Sequence, residues 1–539
     1  MKNIRLSVYI PVLLAIALVA GILIGNRLTR NSGSSMSKVS KLDAIVDLIQ
    51  NSYVDSISTD TLIEKTIPQM LKNLDPHTTY IPAKELVGVE EEMRGDFGGI
   101  GVQFSIQNDT VMVVDVISGG PSSKLGIIPG DRIVKVNDTL MVGKDVKNEK
   151  VLSKLRGQKG TKVNVGIKRH GFKDLIPFQI TRGEIPIYSV DVSYMIDQTT
   201  GYIKVSRFGE KTYEEFIEGM KKLDQSGMKN IIVDLRGNPG GYLNAVIRMV
   251  NEFLDKGELI VYTKGNSQAK KTYQADSRGL YRDKGIEVLI DDFSASASEI
   301  FAGAIQDNDR GWILGRRSFG KGLVQEQIPF NDGSAVRLTV ARYYTPSGRC
   351  IQKPYDKGSD VYYKDIMDRA IHGEFQKEDS IKFSGKEKFK TLAGRVVYGG
   401  GGIMPDFFIP ADTLGYSKYY SKITQKGLVY QFALDYADSN RKDLSKLTST
   451  ADFENYFQKT DILKLMVAFA EKKGVKANSA DLKASSRIIE IQVKAYIARN
   501  IIGEVGFYPI IKNIDKTLLQ AIEKSKIPIQ QNLIGAVTK

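Results

Sequence analysis

Between Ile185 and about Pro410, short apolar runs such as "NIIVDL" and "EVLI" alternate with stretches of helical character. Strands and helices taken in turn pack as layers on one another, so this part of the chain is restricted to an α/β core. At 539 residues the chain is too long for one core, and the pattern changes on both sides. From Asp96 to about Arg182 the runs "GGIGVQFSI", "TVMVVDVI", "DRIVKVND" and "KVNVGIKR" are short strands punctuated by glycine. Val39 to Leu74 has helical periodicity, with apolar Leu42, Ile45, Val46 and Ile49, and "LDPHTTYIP" breaks it with two prolines. Beyond Ala411 the chain is helical and lysine-rich and carries no chemical motif.

Leu6 to Gly25 is a run without a single charge, long enough to cross a bilayer as a helix. Ala15-Ile16-Ala17 has the small-x-small form of a cleavage site but lies inside the apolar run, so an uncleaved anchor is expected. Lys2 and Arg5 before the run balance Arg27 and Arg30 after it, which leaves its direction open. A Ser/Gly-rich tether follows, from Asn31 to Ser37. The expected organisation is an anchor over 1–30, a helical region over 31–93, the glycine-punctuated strands over 94–182, the α/β core over 183–410 and a helical region over 411–539.

Composition narrows the function classes. A hydrophobic content of 42% with 26% charged residues belongs to a folded globular chain. The formal net charge is +14, but the lysines are spread along the chain with no basic block interleaved with aromatics. A solvated lysine-rich surface is therefore expected, and no nucleic-acid partner. Cys350, the single cysteine, excludes an internal disulfide framework and a cysteine-rich zinc site.

Four stretches could carry chemistry. "GGIGVQF" (Gly98 to Phe104) would place a glycine loop ahead of a strand, with backbone N–H groups free to hold a carboxylate and a strand free to pair with an extended peptide. In "IIVDLRGNPGGYL" a strand runs into a turn whose glycines leave amides uncovered, a way to aim N–H groups at a developing oxyanion. "DDFSASASEIFAG" repeats that strand-to-helix arrangement with three serines. Ser296-Ala297-Ser298-Glu299 fits a capping box, in which Ser296 only bonds the backbone. A serine at a helix N-terminus also stands in a positive field with the next amide as an oxyanion donor, so cap and nucleophile are both open here.

A nucleophilic serine needs a base. None of the three histidines is placed for that role: His77 is in the "LDPHTTY" break, His170 in a "KRHG" turn and His372 in a charged stretch. A lysine serves if burial keeps it neutral. "GKGLVQ" offers Lys321, with Gln325 four residues on and on the same face of a strand or a helix. The same stretch contains G-x-x-x-x-G-K, but Gly322 stands where a nucleotide-binding loop needs Ser or Thr, and "LVQEQIPF" continues as a strand.

Taken in order, "YVDS", "LDPHTTYIP", "GDFGGIGVQF", "PGDRIVKVN", "DLRGNPGG", "SASASEI", "GKGLVQ" and "GGGGIMPD" closely resemble the carboxyl-terminal processing (tail-specific) peptidases, over about Val39 to Pro410. The resemblance implies a multidomain α/β serine-peptidase core of crotonase/ClpP-like type with an inserted PDZ domain. It makes Ser296 the nucleophile, Lys321 the general base and Gln325 the residue that orients it. The oxyanion donors become the amides of Ala297 and of Gly240 or Gly241. The PDZ loop Gly98, Gly99, Ile100 and Gly101 would capture the C-terminal carboxylate of a protein substrate with an unstructured apolar tail. The family works without a metal or organic cofactor, and its usual placement puts the catalytic part outside the cytoplasm, here on a single-pass bacterial inner-membrane anchor facing the periplasm. "SSKLGI" (Ser122 to Ile127) is less regular than the usual PDZ helix start. Dimerisation, binding of a regulatory partner, or a cover over an active-site tunnel are the roles open to the helices after Ala411, and Arg156 in "LRGQKG" is either a surface charge or a link from the PDZ unit to a core carboxylate. The alternative from another class is a non-catalytic, membrane-tethered PDZ scaffold, against which Ser296, Lys321 and Gln325 together argue.

Overall fold

The computed structural model describes residues 14–22, 39–107, 109–117, 119–381 and 387–526. It divides into two compact units, Met1–Leu74 and Asp75–Lys539. In the first, residues 14–22 are helical, and the remainder of the Leu6–Gly25 run lies outside the described residues, as does the Asn31–Ser37 tether. Among the described residues no helix is long and apolar enough to cross a membrane. The helical periodicity of Val39–Leu74 resolves into two helices, Val39–Ser52 and Thr59–Leu71. The second starts afresh because Ser58 accepts the Thr61 N–H at 3.3 Å, an N-cap, with Asp60 in the first turn.

The second unit is built on a six-stranded sheet in the order Val190–Met195, Thr200–Val205, Asn230–Asp234, Gly285–Ile290, Trp312–Gly315 and Phe407–Phe408. The first pair is antiparallel and every later pair parallel. Successive side chains point to opposite faces, so both faces of this apolar sheet need cover. Ile231, Val233, Val288 and Ile313 pack against Phe216, Val246 and Phe301 of the helices Thr212–Gln225, Leu243–Asn251 and Ala297–Asp307. On the other face Tyr202, Ile232, Leu289 and Leu314 meet Leu518 and Ala521 of the helix Lys516–Lys524. The end of the helical region thus completes the core rather than standing apart from it.

A second, antiparallel sheet carries Leu323–Pro329 against Ala335–Tyr344, which also pairs with Thr79–Ile81 and Leu259–Lys264. "LVQEQIPF" is therefore a strand, as its proline-ended apolar pattern requires. The glycine-punctuated region forms its own antiparallel sheet in the order Val102–Gln107, Thr110–Val116, Arg132–Val136, Lys162–Lys168, Ile176–Thr181. The helix Asn148–Leu155 closes its core through Val151 and Leu155. The chain enters and leaves this insertion side by side: Asp96–Gly99 pairs antiparallel with Gly183–Pro186. Val102–Gln107 lies at the sheet edge, so one of its sides is open to a further strand.

Helices from Lys418 to Ile502 enclose a separate core with Phe432, Phe453, Met466, Ile489 and Val493. They rest on the glycine-punctuated insertion, where the Arg441 guanidinium donates to the Pro129 carbonyl at 2.7 Å.

Candidate active site

Both strand-to-helix turns singled out above lie at adjacent strand ends of the six-stranded sheet, where Asp234 and Leu289 stand in register. Ser294 and Ser298 are buried and join the turns: their hydroxyls donate to the Leu235 carbonyl (2.8 Å) and the Asn238 carbonyl (3.0 Å). The Ala295 N–H adds a bond to the Asn238 carbonyl at 3.0 Å. Ser296 differs from both. It is partly exposed and lines a cavity of about 1250 Å³ shared with Lys321, Gln325, Gly240 and Gly241.

The backbone at Ser296 has φ 54° and ψ −113°, a conformation that an L-residue adopts only when its surroundings impose it. The effect is that of a nucleophile elbow, which lifts a serine out of a tight strand-to-helix turn. Ser296 and Glu299 have the arrangement of a capping box. Its halves are unequally made: the Ser296 N–H donates to Glu299 Oε2 at 2.9 Å, whereas the Ser296 hydroxyl makes no cap hydrogen bond. The Glu299 N–H goes instead to the Ser296 carbonyl at 2.9 Å.

Lys321 lies just before the strand Leu323–Pro329, and its Nζ donates to Gln325 Oε1 at 2.9 Å. Gln325 is held in turn by its Nε2, which donates to the backbone carbonyl of His77. Burial pulls the Lys321 amine down to about 8, helped by the positive charge of Arg337 and opposed by Glu299 and Asp75. An appreciable fraction of this lysine is neutral near pH 8. His77 itself is held down to about 4 by burial and by Lys321, and its ring bonds the Tyr362 hydroxyl at 2.9 Å. It supports Gln325 through its backbone.

Two residues tie the serine turn to the lysine turn. The buried Glu299 carboxylate accepts from the Ser296 N–H (2.9 Å), the Lys321 N–H (2.8 Å), the Gly320 N–H (2.7 Å) and the Ser318 hydroxyl (2.5 Å). Burial lifts its carboxyl to about 7, against the pull of these four donors. From the other side the buried Tyr343 hydroxyl lies 3.2 Å from the Ser296 carbonyl and 2.8 Å from the Lys321 carbonyl. Backbone N–H and C=O groups of both residues are thus held by shared partners. The sequence reading assigned Glu299 only a cap and missed Tyr343. A glutamate facing inward from "EIFAGAI" was the available signal, because a buried carboxylate needs donors.

The glycine turn is shaped by close approach. At Gly240, φ is +98° and a Cβ would come within 2.7 Å of Ser296 Cβ and 2.9 Å of the Ala297 nitrogen. The Gly240 N–H is already taken by Asn238 Oδ1 at 2.8 Å. Among the described residues no acceptor takes the N–H of Gly241 or of Ala297.

In the insertion, Gly98 and Gly99 belong to the entry strand, and the Gly98 N–H faces Glu91 Oε1 at 3.4 Å. That leaves Ile100 and Gly101, both buried and with φ +79° at Gly101, as the part of the expected carboxylate loop that lies outside the entry strand. Arg156 caps the helix Asn148–Leu155, lies 3.7 Å from Glu91 Oε2 and stacks over the Phe97 ring. Glu91 belongs to the helix Ala83–Arg94, ahead of the insertion and not in the 183–410 core. In "RRSFGKG" the Lys321 and Gly320 amides are spent on Glu299 and a strand follows, which removes the nucleotide-loop reading. No cluster of metal-ligating side chains occurs among the described residues.

Comparison with known proteins places the chain in a family. The family model of peptidase family S41 matches residues 199–358, that of the PDZ domain residues 98–176, and that of the activating protease CtpB N-terminal domain residues 25–85. Residues 419–503 match a family of unknown function. The carboxy-terminal-processing protease of Bartonella bacilliformis is 36% identical over 378 residues, covering 67% of this chain and 86% of that protein. The chain belongs to peptidase family S41, the carboxy-terminal processing serine peptidases. Carboxy-terminal processing protease CtpB of Bacillus subtilis is 35% identical over 318 residues, 58% of this chain and 65% of that one. The solved photosystem II D1 C-terminal processing protease shares 27% identity over 57% of this chain and 88% of its own, with a TM-score of 0.33, too low to bear on the fold.

Proposed function

We propose that this S41 peptidase is an endopeptidase that captures an unstructured, apolar protein C-terminus at its PDZ domain and cuts within the captured tail. Ser296 Oγ attacks the scissile carbonyl while neutral Lys321 Nζ accepts its proton. The same ammonium then protonates the leaving amine, and water resolves the acyl-enzyme with Lys321 again as base. Gln325, fixed by the His77 carbonyl, aims the amine. The Ala297 and Gly241 amides receive the oxyanion, because Gly240 is committed to Asn238. The observation that carries this reading is the buried lysine, brought down to about 8, in one cavity with a serine lifted by its backbone. A catalytically silent PDZ scaffold has no use for that arrangement.

At the PDZ domain the amides of Ile100 and Gly101 take the terminal carboxylate, and the open edge of Val102–Gln107 pairs with the tail. A model peptide with its C-terminus amidated keeps its length and loses its charge. It is cut more slowly than the free acid on this reading, and equal rates contradict it. The uncharged Leu6–Gly25 run supports an uncleaved inner-membrane anchor with the catalytic part outside the cytoplasm.

A further inference from the structure

The oxyanion turn begins at Arg236, and Arg236 is gripped by the far end of the chain. Its guanidinium donates to both carboxylate oxygens of Asp515, Nη1 to Oδ1 at 2.8 Å and Nη2 to Oδ2 at 2.7 Å. On its other edge it bonds Asp234, which also takes the Tyr202 hydroxyl (2.7 Å) and the Lys204 ammonium (3.2 Å). Lys204 reaches on to the Arg236 carbonyl. Two cations and two carboxylates balance, with the Asp234 side chain 1% exposed and those of Arg236 and Asp515 21% and 23%. Asp515 is itself fixed as the N-cap of the helix Lys516–Lys524, accepting the Leu518 N–H at 3.0 Å, while Leu518 is buried on the sheet.

We propose that Asp515 is a positioning residue for catalysis. By holding the Arg236 fork it fixes the start of the Gly237–Gly241 turn, and with it the Gly241 N–H at the oxyanion. The C-terminal segment is on this view a working part of the peptidase site, although it touches neither the nucleophile nor the base. Without Asp515, Nη1 loses its carboxylate, the cluster keeps an unbalanced charge, and Asp234 alone sets the angle of the fork. The inference rests on the reading of Gly241 as oxyanion donor, and the test separates the two.

The full chain is assayed with a free-acid peptide, and amide hydrogen exchange is followed at residues 237–241. In Asp515→Asn, kcat falls by about tenfold or more, the scale on which a small misplacement of catalytic groups is felt, with KM within about twofold. Exchange over the turn rises, and Asp515→Glu, which keeps the charge, recovers part of kcat. Tyr508→Phe removes another contact of the same segment, the 3.0 Å bond to Asp191, and leaves kcat unchanged. Unchanged kcat and unchanged exchange in Asp515→Asn overturn the proposal, as does an equal loss in Tyr508→Phe, which would mean general loosening. Faster exchange with unchanged kcat instead overturns Gly241 as the donor while leaving the grip on the turn standing.

Discussion

Replacing Lys321 by methionine separates what the buried amine does for the reaction from what it costs the fold. The side chains are of similar length, and methionine needs no solvation. Burial moves the amine from 10.5 to about 8, which corresponds to about 3 kcal/mol of folding free energy withheld where the lysine is charged in both the folded and the unfolded chain. The sign follows from proton uptake. Between about pH 8 and 10.5 the unfolded chain holds the proton and the folded chain does not, so wild-type stability rises through that window; below about pH 8 the full penalty applies. Against it stands the lost donor to Gln325 Oε1, roughly 1 kcal/mol for a partly exposed group. Lys321→Met is therefore expected to be more stable than wild type by about 2 kcal/mol at pH 7, and no more stable than wild type above pH 10.5. Denaturant unfolding followed by Trp312, the single tryptophan and a buried residue of the core sheet, reads the relevant transition. A difference between the two proteins that is the same at pH 7 and at pH 10.5 would refute the claim that the amine is desolvated, and the variant must in addition be inactive.

In Glu299→Gln one carboxylate oxygen becomes an amide, so two of its four donors lose their acceptor and plateau kcat falls, roughly tenfold. The Glu299 charge, present above about pH 7, raises the Lys321 value, so the rising limb of the pH–rate profile, near 8 in wild type, moves to lower pH in the variant; an unmoved limb counts against the shared tether. For the anchor, a reporter fused after Arg30 is active only outside the cytoplasm, and a reporter active only inside reverses the proposed orientation.

Much of the site was legible because it follows local rules. Apolar strands running into Gly-Asn-Pro-Gly-Gly and into Ser-Ala-Ser-Ala-Ser point to turns at strand ends, and a lysine four residues before a glutamine points to a paired amine. The choice between cap and nucleophile at Ser296 was not legible, since S-x-x-E fits both; the structure adds a backbone at φ 54° and a place in the cavity shared with Lys321, neither of which the sequence displays. Nor was the choice between Gly240 and Gly241, which depends on where the Asn238 side chain points. Support from the His77 carbonyl has no signature, because any residue supplies a carbonyl. Asp515 lies 279 positions from Arg236, and an aspartate before a helix reads only as a cap. The break between the two helices of Val39–Leu74 was hidden for a related reason: Ser58 caps a new helix inside a stretch whose periodicity is helical.

The central claim is that Ser296 and Lys321 make and break the acyl-enzyme, while the neighbouring serines only stitch the turns together. It is tested most directly by peptide cleavage with purified, folded Ser296→Ala, Lys321→Arg, Ser294→Ala and Ser298→Ala proteins at pH 8. The first two are expected to be inactive with unfolding midpoints close to wild type, because alanine lacks the nucleophile and a guanidinium stays protonated. Ser294→Ala and Ser298→Ala each lose a buried hydrogen bond, about 1–3 kcal/mol of stability, and retain measurable turnover. Near-normal cleavage by either Ser296→Ala or Lys321→Arg would contradict the account and leave "SASASE" as a helix cap.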